Sequence, residues 1–207
     1  SMGSRVNVVS ANILDNPSSF TDPFKLEITF EAFELLPCDL EWELVYVGSP
    51  QGSNYDQVLT SILIGPTPEG RQRFILDANA PDPSKIPSAD MIGVTVLLLK
   101  VKYNDQEFLN LGWYVKVEYA DPELIENPPS TPQVDKLSRT VLTDGLRVTS
   151  FAIKWDEKQE EQYPPEEVNP DEDLVPESDD EDNNVEQDEE EEGEEEKETE
   201  VDEGEEE

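Results

Sequence analysis

The 207-residue sequence contains no histidine and a single cysteine, Cys38. Without histidine the chain lacks the commonest general base and a common metal ligand. One cysteine cannot form an intrachain disulfide, and the sequence has no nucleophile–base set, glycine-rich phosphate loop or metal-ligand spacing. Cys38 precedes Asp39, and a neighbouring negative charge disfavours a reactive thiolate. We therefore expect a protein that acts by binding, with no catalytic residues, cofactor or metal.

Basic residues are also scarce, with 14 Lys and Arg against 51 Asp and Glu and a formal net charge of −37. Residues 157–207 hold 29 of the acidic side chains and only two lysines. Such a segment buries too little apolar surface to offset the entropy of ordering. The composition predicts one folded domain over residues 1–156 and a disordered acidic tail over residues 157–207. Direct nucleic-acid binding needs a basic patch, so basic partners are favoured, although a tail that only maintains solubility is the alternative.

Long hydrophobic runs are missing as well. No stretch approaches the roughly 18 apolar residues that a membrane-spanning helix requires. The first residues do not show the basic start and apolar run of a secretory signal. These features predict a soluble intracellular protein that does not bind membranes.

Two apolar runs, residues 91–103 and 107–119, form the centre of the sequence pattern. A polar turn at residues 104–106 separates them, which predicts a β-hairpin. Residues 92–99 are apolar on both faces of a strand except at Thr95. Because an antiparallel strand normally buries only one face, this strand either lies between two layers or is covered by another molecule.

Strand-like patterns recur about every 10–15 residues, and helical periodicity is never sustained. Residues 24–31 alternate strictly between apolar and polar side chains. A short helix is predicted at residues 121–126 and a helical turn at residues 84–91, and two strands, residues 137–141 and 146–155, complete the domain. The pattern predicts an all-β fold, an immunoglobulin-like antiparallel β-sandwich, without the Cys–Trp–Cys signature of antibody domains.

Seven short segments stand out along the sequence: LDNP at 14–17, DLEW at 39–42, VYVGS at 45–49, YDQVL at 55–59, GVTVLL at 93–98, ENPP at 126–129 and RVT at 147–149. They match, in order, landmarks of the anti-silencing function histone chaperones. The similarity extends over residues 6–155, so the chain resembles a member of that family. The resemblance implies a nuclear, monomeric chaperone that binds a histone H3–H4 dimer, blocks H3–H4 tetramer formation and hands histones over for nucleosome assembly and disassembly.

The resemblance also implies a histone-binding surface. Its apolar members would cover the C-terminal helix of H3, Asp56 and Asp90 would meet basic H3 side chains, and residues 147–149 would receive the H4 C-terminal tail as an added strand. Core packing of the apolar residues and ordinary surface charge at the two aspartates are the alternatives. The implied positions are Val47, Asp56, Asp90, Val94, Val96, Leu98, Asn110, Tyr114, Arg147 and Thr149.

A second implied site would bind co-chaperones of the HIR and chromatin assembly factor types. The aspartate of that site corresponds to Asp39, and its apolar floor to Phe30, Ile62, Leu63 and Ile64.

The chain departs from the family pattern at a few positions. Asn110 stands where the family usually has an arginine that would pair with Asp56, which leaves this carboxylate open to a basic histone group. Trp113 replaces a tyrosine and Lys116 an asparagine. Cys38 stands where an acidic residue is common, so we expect a weaker co-chaperone site.

Two other functions compete with this interpretation. An adhesion-type immunoglobulin domain would need an export signal or a disulfide, and the sequence shows neither. A general acidic chaperone would bind any basic protein through residues 157–207, with no contribution from the domain.

Overall fold

The computed structural model describes residues 3–156 and the backbone of the two-residue strand Glu167–Val168. All structural statements below concern these residues. Apart from Glu167–Val168, which form a strand, the expected disordered segment 157–207 lies outside them, and the domain boundary at residue 156 stays a prediction. Within the described residues no helix is long and apolar enough to span a membrane.

The described chain forms two antiparallel sheets, which confirms the all-β, immunoglobulin-like sandwich. The smaller sheet has the strand order β1-β3-β6, and the larger has the order β10-β9-β8-β7-β4-β5, with β2 also paired to β9. The elements are β1 Val6–Ile13, β2 Ser18–Ser19, β3 Phe24–Ala32, β4 Leu40–Val47, β5 Asp56–Ile64, β6 Gly70–Ala78, β7 Gly93–Tyr103, β8 Gln106–Tyr119, α1 Pro122–Glu126, β9 Leu137–Phe151 and β10 Glu167–Val168.

The core lies between the sheets and follows the period of two in the sequence. Alternate residues of β3, from Phe24 to Ala32, are buried, as the strict alternation predicted. Phe30 packs against Trp42 of the facing sheet, with ring centroids 5.2 Å apart, and Phe74 of β6 lies 5.1 Å from Trp42. These aromatic contacts join the two sheets, so the larger sheet has one face fixed against the core.

The predicted hairpin consists of β7 and β8. Its turn residues, Asn104 and Asp105, have φ of 50° and 59°, the left-handed conformation that two-residue hairpin turns require. Strand β8 already begins at Gln106, so the turn is one residue shorter than the sequence suggested.

The end of the domain differs from the prediction of two strands. A single 15-residue strand, β9, runs from Leu137 to Phe151, and residues 152–155 are not part of it. Tyr114 of β8 pairs with Leu142, whereas Gly112 pairs with Arg147, so one β8 residue faces four β9 residues. The sequence break near Gly145 therefore marks a bulge within one strand rather than a gap between two.

The short helical segments agree with the sequence in part. Helix α1 begins after Asp121, whose side chain accepts a hydrogen bond from the Glu123 backbone N–H, as expected of an N-cap. The single helical turn predicted within residues 84–91 is instead two 3-10 turns, Pro83–Lys85 and Ser88–Asp90.

Three features cover the outer edge of β9, on the side away from β8. Strand β2 pairs with Ser138 and Arg139, and β10 pairs with Ser150 and Phe151. Between them, the Asn16 side chain bonds to both the backbone N–H and the carbonyl of Val141, each at 2.8 Å. Within the part of the chain that the structure describes, residues 142–149 have no strand partner on this side.

Arg139 is a buried cation that holds the loop after β2. It is 3% exposed and donates hydrogen bonds to the carbonyls of Phe20, Asp22 and Pro23. Its guanidinium lies 3.6 Å from the centre of the Phe24 ring. Burial lowers the pKa of Arg139 to about 10, and the nearby Tyr46 and Asp22 oppose that shift.

Candidate functional site

The strand that is apolar on both faces has one face in the core and one at the surface. Leu97 and Leu99 are fully buried, whereas Val94 is 63% exposed. Val96 and Leu98 are half-buried. The outward side of β7 is therefore an exposed apolar surface and is not buried between two layers of the described chain.

Neighbouring strands continue this apolar surface across the larger sheet. Val96 lies opposite Tyr114, which in turn lies opposite Leu142 of β9. Leu98 lies opposite Gly112 on one side and Val45 of β4 on the other, and Val45 itself is buried, at 3% exposure. We call this set the outer apolar face; its members are Val45, Val47, Val94, Val96, Leu98, Gly112, Tyr114 and Leu142.

Three members of the outer apolar face, Val45, Gly112 and Leu142, were absent from the residues predicted from the sequence. Cross-strand register places Val45 and Gly112 on either side of Leu98 and places Leu142 beside Tyr114, and only this last pairing borders the bulge in β9. A single amino-acid sequence carries no direct signal for which residues of distant strands lie opposite each other.

A concavity of about 300 Å³ opens on the outer apolar face. Gly112 and Leu98 form its floor. The space beside Leu98 is open because Gly112 has no side chain, and a Cβ at residue 112 would lie 3.3 Å from the Leu98 Cδ2 atom. Six predicted histone-binding residues line the concavity, namely Val96, Leu98, Asn110, Tyr114, Arg147 and Thr149, together with Gly112, Trp113 and Phe151.

Of the charged residues predicted for this site, Asp56 and Asp90 lie at its margin and Arg147 lines the concavity. Asp56 is half-buried, begins β5 and pairs with Val47 at the end of β4. Asp90 is half-buried and accepts a 2.7 Å hydrogen bond from Ser49 Oγ. Arg147 is exposed and pairs with Gly112 at the floor of the concavity. The site therefore joins an apolar centre to a polar margin, which is the usual composition of a protein interface.

Asn110, the main departure from the family pattern, is held by its own strand. Its side-chain Nδ2 donates a 3.0 Å hydrogen bond to Glu107 Oε2. Asn110 also pairs with Thr149 of β9, and both line the concavity. An uncharged residue here leaves Arg147 as the cation among the lining residues.

The residues predicted for co-chaperone binding are divided between the surface and the core. Leu63 is 65% exposed on β5, and Asp39 is exposed beside Gly65, where an added Cβ would collide with the carboxylate. Ile62 and Ile64 are half-buried against the edge of the core. Phe30 is 1% exposed and offers almost no surface of its own.

The family of the chain follows from comparison with known proteins. The model of the family described as ASF1 like histone chaperone matches residues 3–156, which include every residue of the outer apolar face. The chain belongs to this family. The resemblance found in the short sequence segments is confirmed, and the ASF1-like family implies histones as the class of partner and a role without catalysis.

Curated relatives of this ASF1-like chain carry the same description. A probable histone chaperone asf-1-like protein of Caenorhabditis elegans is 57% identical over 179 residues, which cover 84% of this chain and 73% of the relative. The probable histone chaperone asf-1 of the same organism is 58% identical over 179 residues, with 84% of this chain and 65% of the relative covered. Histone chaperone ASF1B of Homo sapiens is 49% identical over 152 residues, covering 73% of this chain and 75% of the relative.

Proposed function

We propose that this histone chaperone binds one H3–H4 dimer through the outer apolar face and thereby prevents two dimers from joining. The observation that carries the proposal is the exposure of Val94 and Tyr114, 63% and 46%, on a sheet whose other side is a packed core. Contiguous apolar surface on a soluble protein usually marks an interaction site. An apolar histone helix laid on this surface would be withheld from a second histone dimer.

Charge complementarity supports a basic partner. Asp56 and Asp90 stand at the margin of the apolar face, where they can pair with basic H3 side chains. The 29 acidic residues of segment 157–207 add a long-range attraction that salt weakens, because the Debye length is about 8 Å at physiological ionic strength. The apolar contact would provide specificity, and the charges would mainly speed association.

The open stretch of β9 supports a second contact. Arg147 and Thr149 lie in the part of the strand whose outer edge has no partner among the described residues. An extended histone segment, the H4 C-terminal tail, would add there as a further strand.

The function includes transfer of histones to other factors in the nucleus, during both assembly and disassembly of nucleosomes. HIR-type and chromatin assembly factor-type co-chaperones would bind at the separate surface of Asp39, Ile62, Leu63 and Ile64, which leaves the outer apolar face available for histones. Phe30 would support that surface from the core through its contact with Trp42. The chaperone would act as a monomer, without direct contact to nucleic acid.

The test is the mass of the complex formed with purified H3–H4, measured by light scattering after gel filtration. We expect one chaperone with one H3–H4 dimer, and no complex with a Val94→Arg variant, because binding would bury an unpaired charge. Leu63→Arg is the matched control, since Leu63 is similarly exposed, 65%, but lies on β5 at the other predicted site. An intact histone tetramer in the complex, or normal binding by Val94→Arg, would contradict the proposal.

A further inference from the structure

Ser49 is a buried polar residue next to the margin of the proposed histone site. It follows β4 by two residues and is only 2% exposed. Its Oγ donates a 2.7 Å hydrogen bond to Asp90 Oδ2, and the same Oγ accepts a 3.1 Å hydrogen bond from the Gln51 backbone N–H. Neither the sequence pattern nor the family resemblance had given Ser49 a role.

The two hydrogen bonds fix the direction of the hydroxyl. A serine hydroxyl has one proton to donate, and an ionised carboxylate can only accept. The Gln51 N–H occupies the acceptor side of Oγ, so the proton of Ser49 points at Asp90. A hydrogen bond to an ionised acceptor is short and roughly twice as strong as one between neutral groups.

Both ends of this contact are held by backbone structure. Before Ser49, the Gly48 N–H donates to the Tyr55 carbonyl at 3.1 Å, and a Cβ at Gly48 would lie 2.5 Å from that carbonyl oxygen. Asp90 ends the 3-10 turn Ser88–Asp90, and its N–H donates to the Pro87 carbonyl at 2.8 Å. The Asp90 side chain is therefore oriented by the Ser49 hydroxyl, whose own position is set by the surrounding backbone hydrogen bonds.

We propose that Ser49 is a positioning residue for histone binding, which holds Asp90 Oδ2 so that Oδ1 is presented to a basic side chain of the bound histone. This inference rests on the proposed function. A carboxylate already held in its bound orientation loses less conformational entropy on binding, so the affinity for the partner is higher. Without the Ser49 hydroxyl, Asp90 keeps its charge but loses this orientation.

The chain offers a matched control on the same sheet. Ser61 Oγ donates to Glu41 Oε2 at 2.7 Å, the same length as the Ser49–Asp90 bond. Glu41 lies on β4 four residues before Val45 and is not among the predicted histone-binding residues. Ser61→Ala therefore removes an equivalent serine–carboxylate bond without altering the proposed site.

The experiment is a double-mutant cycle in the full chain, with purified H3–H4 dimer as the probe and calorimetry for affinity. We expect Ser49→Ala to weaken binding about fivefold to tenfold when Asp90 is present and less than twofold when it is combined with Asp90→Asn. Ser61→Ala should leave affinity unchanged. Ser49→Cys keeps the shape of the side chain but has a larger atom that donates only weakly, so its affinity should fall between those of wild type and Ser49→Ala. A urea midpoint for each variant establishes that it is folded.

The outcomes separate this inference from the proposed function. If Asp90→Asn weakens binding but Ser49→Ala has the same effect in both backgrounds, or none, Ser49 has only a structural role and the inference is overturned. If wild type does not bind H3–H4, the proposed function fails and the inference fails with it. If wild type binds but Asp90→Asn has no effect, Asp90 does not contribute to histone binding and the inference alone is overturned. An effect of Ser49→Ala that disappears in the Asp90→Asn variant, with Ser61→Ala unchanged, supports it.

Discussion

Gly112 and Leu98 face each other on adjacent strands, and the missing side chain of Gly112 creates the space that Leu98 borders. A Cβ at residue 112 would lie 3.3 Å from Leu98 Cδ2, whereas a Cβ at Gly145 would lie 3.6 Å from Tyr114, an ordinary contact. The concavity on the outer apolar face thus depends on a residue that has no side chain.

Filling that space should weaken histone binding more than it affects folding. We expect Gly112→Ala to lower H3–H4 affinity several-fold and Gly112→Val to lower it about tenfold or more. The added methyl groups would occupy space in the concavity that a side chain of the bound histone fills. Gly145→Ala is the control and should bind normally. Calorimetry with H3–H4, beside urea unfolding of each variant, checks the expectation; equal affinity for Gly112→Val and wild type would show that the concavity is not used.

Removing residues 157–207, which include the two-residue strand β10, should slow association with histones without preventing specific binding. The truncated chain loses a net charge of about −27, so association should slow and depend less on salt, while the dissociation rate stays nearly the same. Stopped-flow or surface-based kinetics at several salt concentrations would measure both rates. Complete loss of the complex would favour a general acidic chaperone that works through the tail alone.

Tyr46 should make stability depend on high pH. Burial raises the pKa of Tyr46 to about 12, from about 10 when unfolded. Between these values the folded state keeps a proton that the unfolded state releases, so this contribution is present below pH 10 and is lost as the pH rises toward 12. Arg139 acts in the opposite sense, because its folded pKa of about 10 lies below its unfolded value.

The tyrosine contribution can be isolated with Tyr46→Phe. The stability of this variant relative to wild type should increase between pH 10 and pH 12, measured by urea unfolding at a series of pH values. A difference that is independent of pH would show that the Tyr46 hydroxyl ionises as readily in the folded protein as in the unfolded chain.

Trp155 should be essential for stability. It is 4% exposed, with its ring centroid 5.1 Å from that of Tyr103 and 4.8 Å from that of Phe108. We expect Trp155→Ala to reduce the free energy of unfolding by about 3–5 kcal/mol. Ile125→Ala, at a position that is 58% exposed, should change it by less than about 0.5 kcal/mol. A similar change in both variants would mean that the segment after β9 is not packed as described.

Local patterns in the sequence were sufficient for most strands and for the exposed apolar face of β7, but not for β9, which the sequence divided into two. The alternation from Phe24 to Ala32 indicates which side chains of β3 are buried. The run before Leu99, which is apolar on both faces of the strand, indicates a second apolar surface that the described chain does not cover. Both signals arise within a few residues, where strand geometry fixes the direction of each side chain.

Contacts between distant segments could not be predicted in this way. Ser49 bonds to Asp90, 41 residues away, and Asn16 bonds to Val141, 125 residues away. The bulge that places Gly112 opposite Arg147 likewise depends on pairing between β8 and β9. Such contacts are set by the tertiary arrangement of strands, so the residue types alone indicate polar loops and a turn near Gly145.

The covered edge of β9 also limits how the protein can associate with itself. An open edge strand offers unpaired backbone groups to any other strand, including the same strand of a second copy. Here β2 and β10 pair with residues near the two ends of that edge, the Asn16 side chain binds Val141, and the bulge distorts the stretch between Leu142 and Arg147. The regular stretch left between the bulge and β10 is only residues 147–149, so a second copy of β9 would have few aligned backbone groups to pair with there.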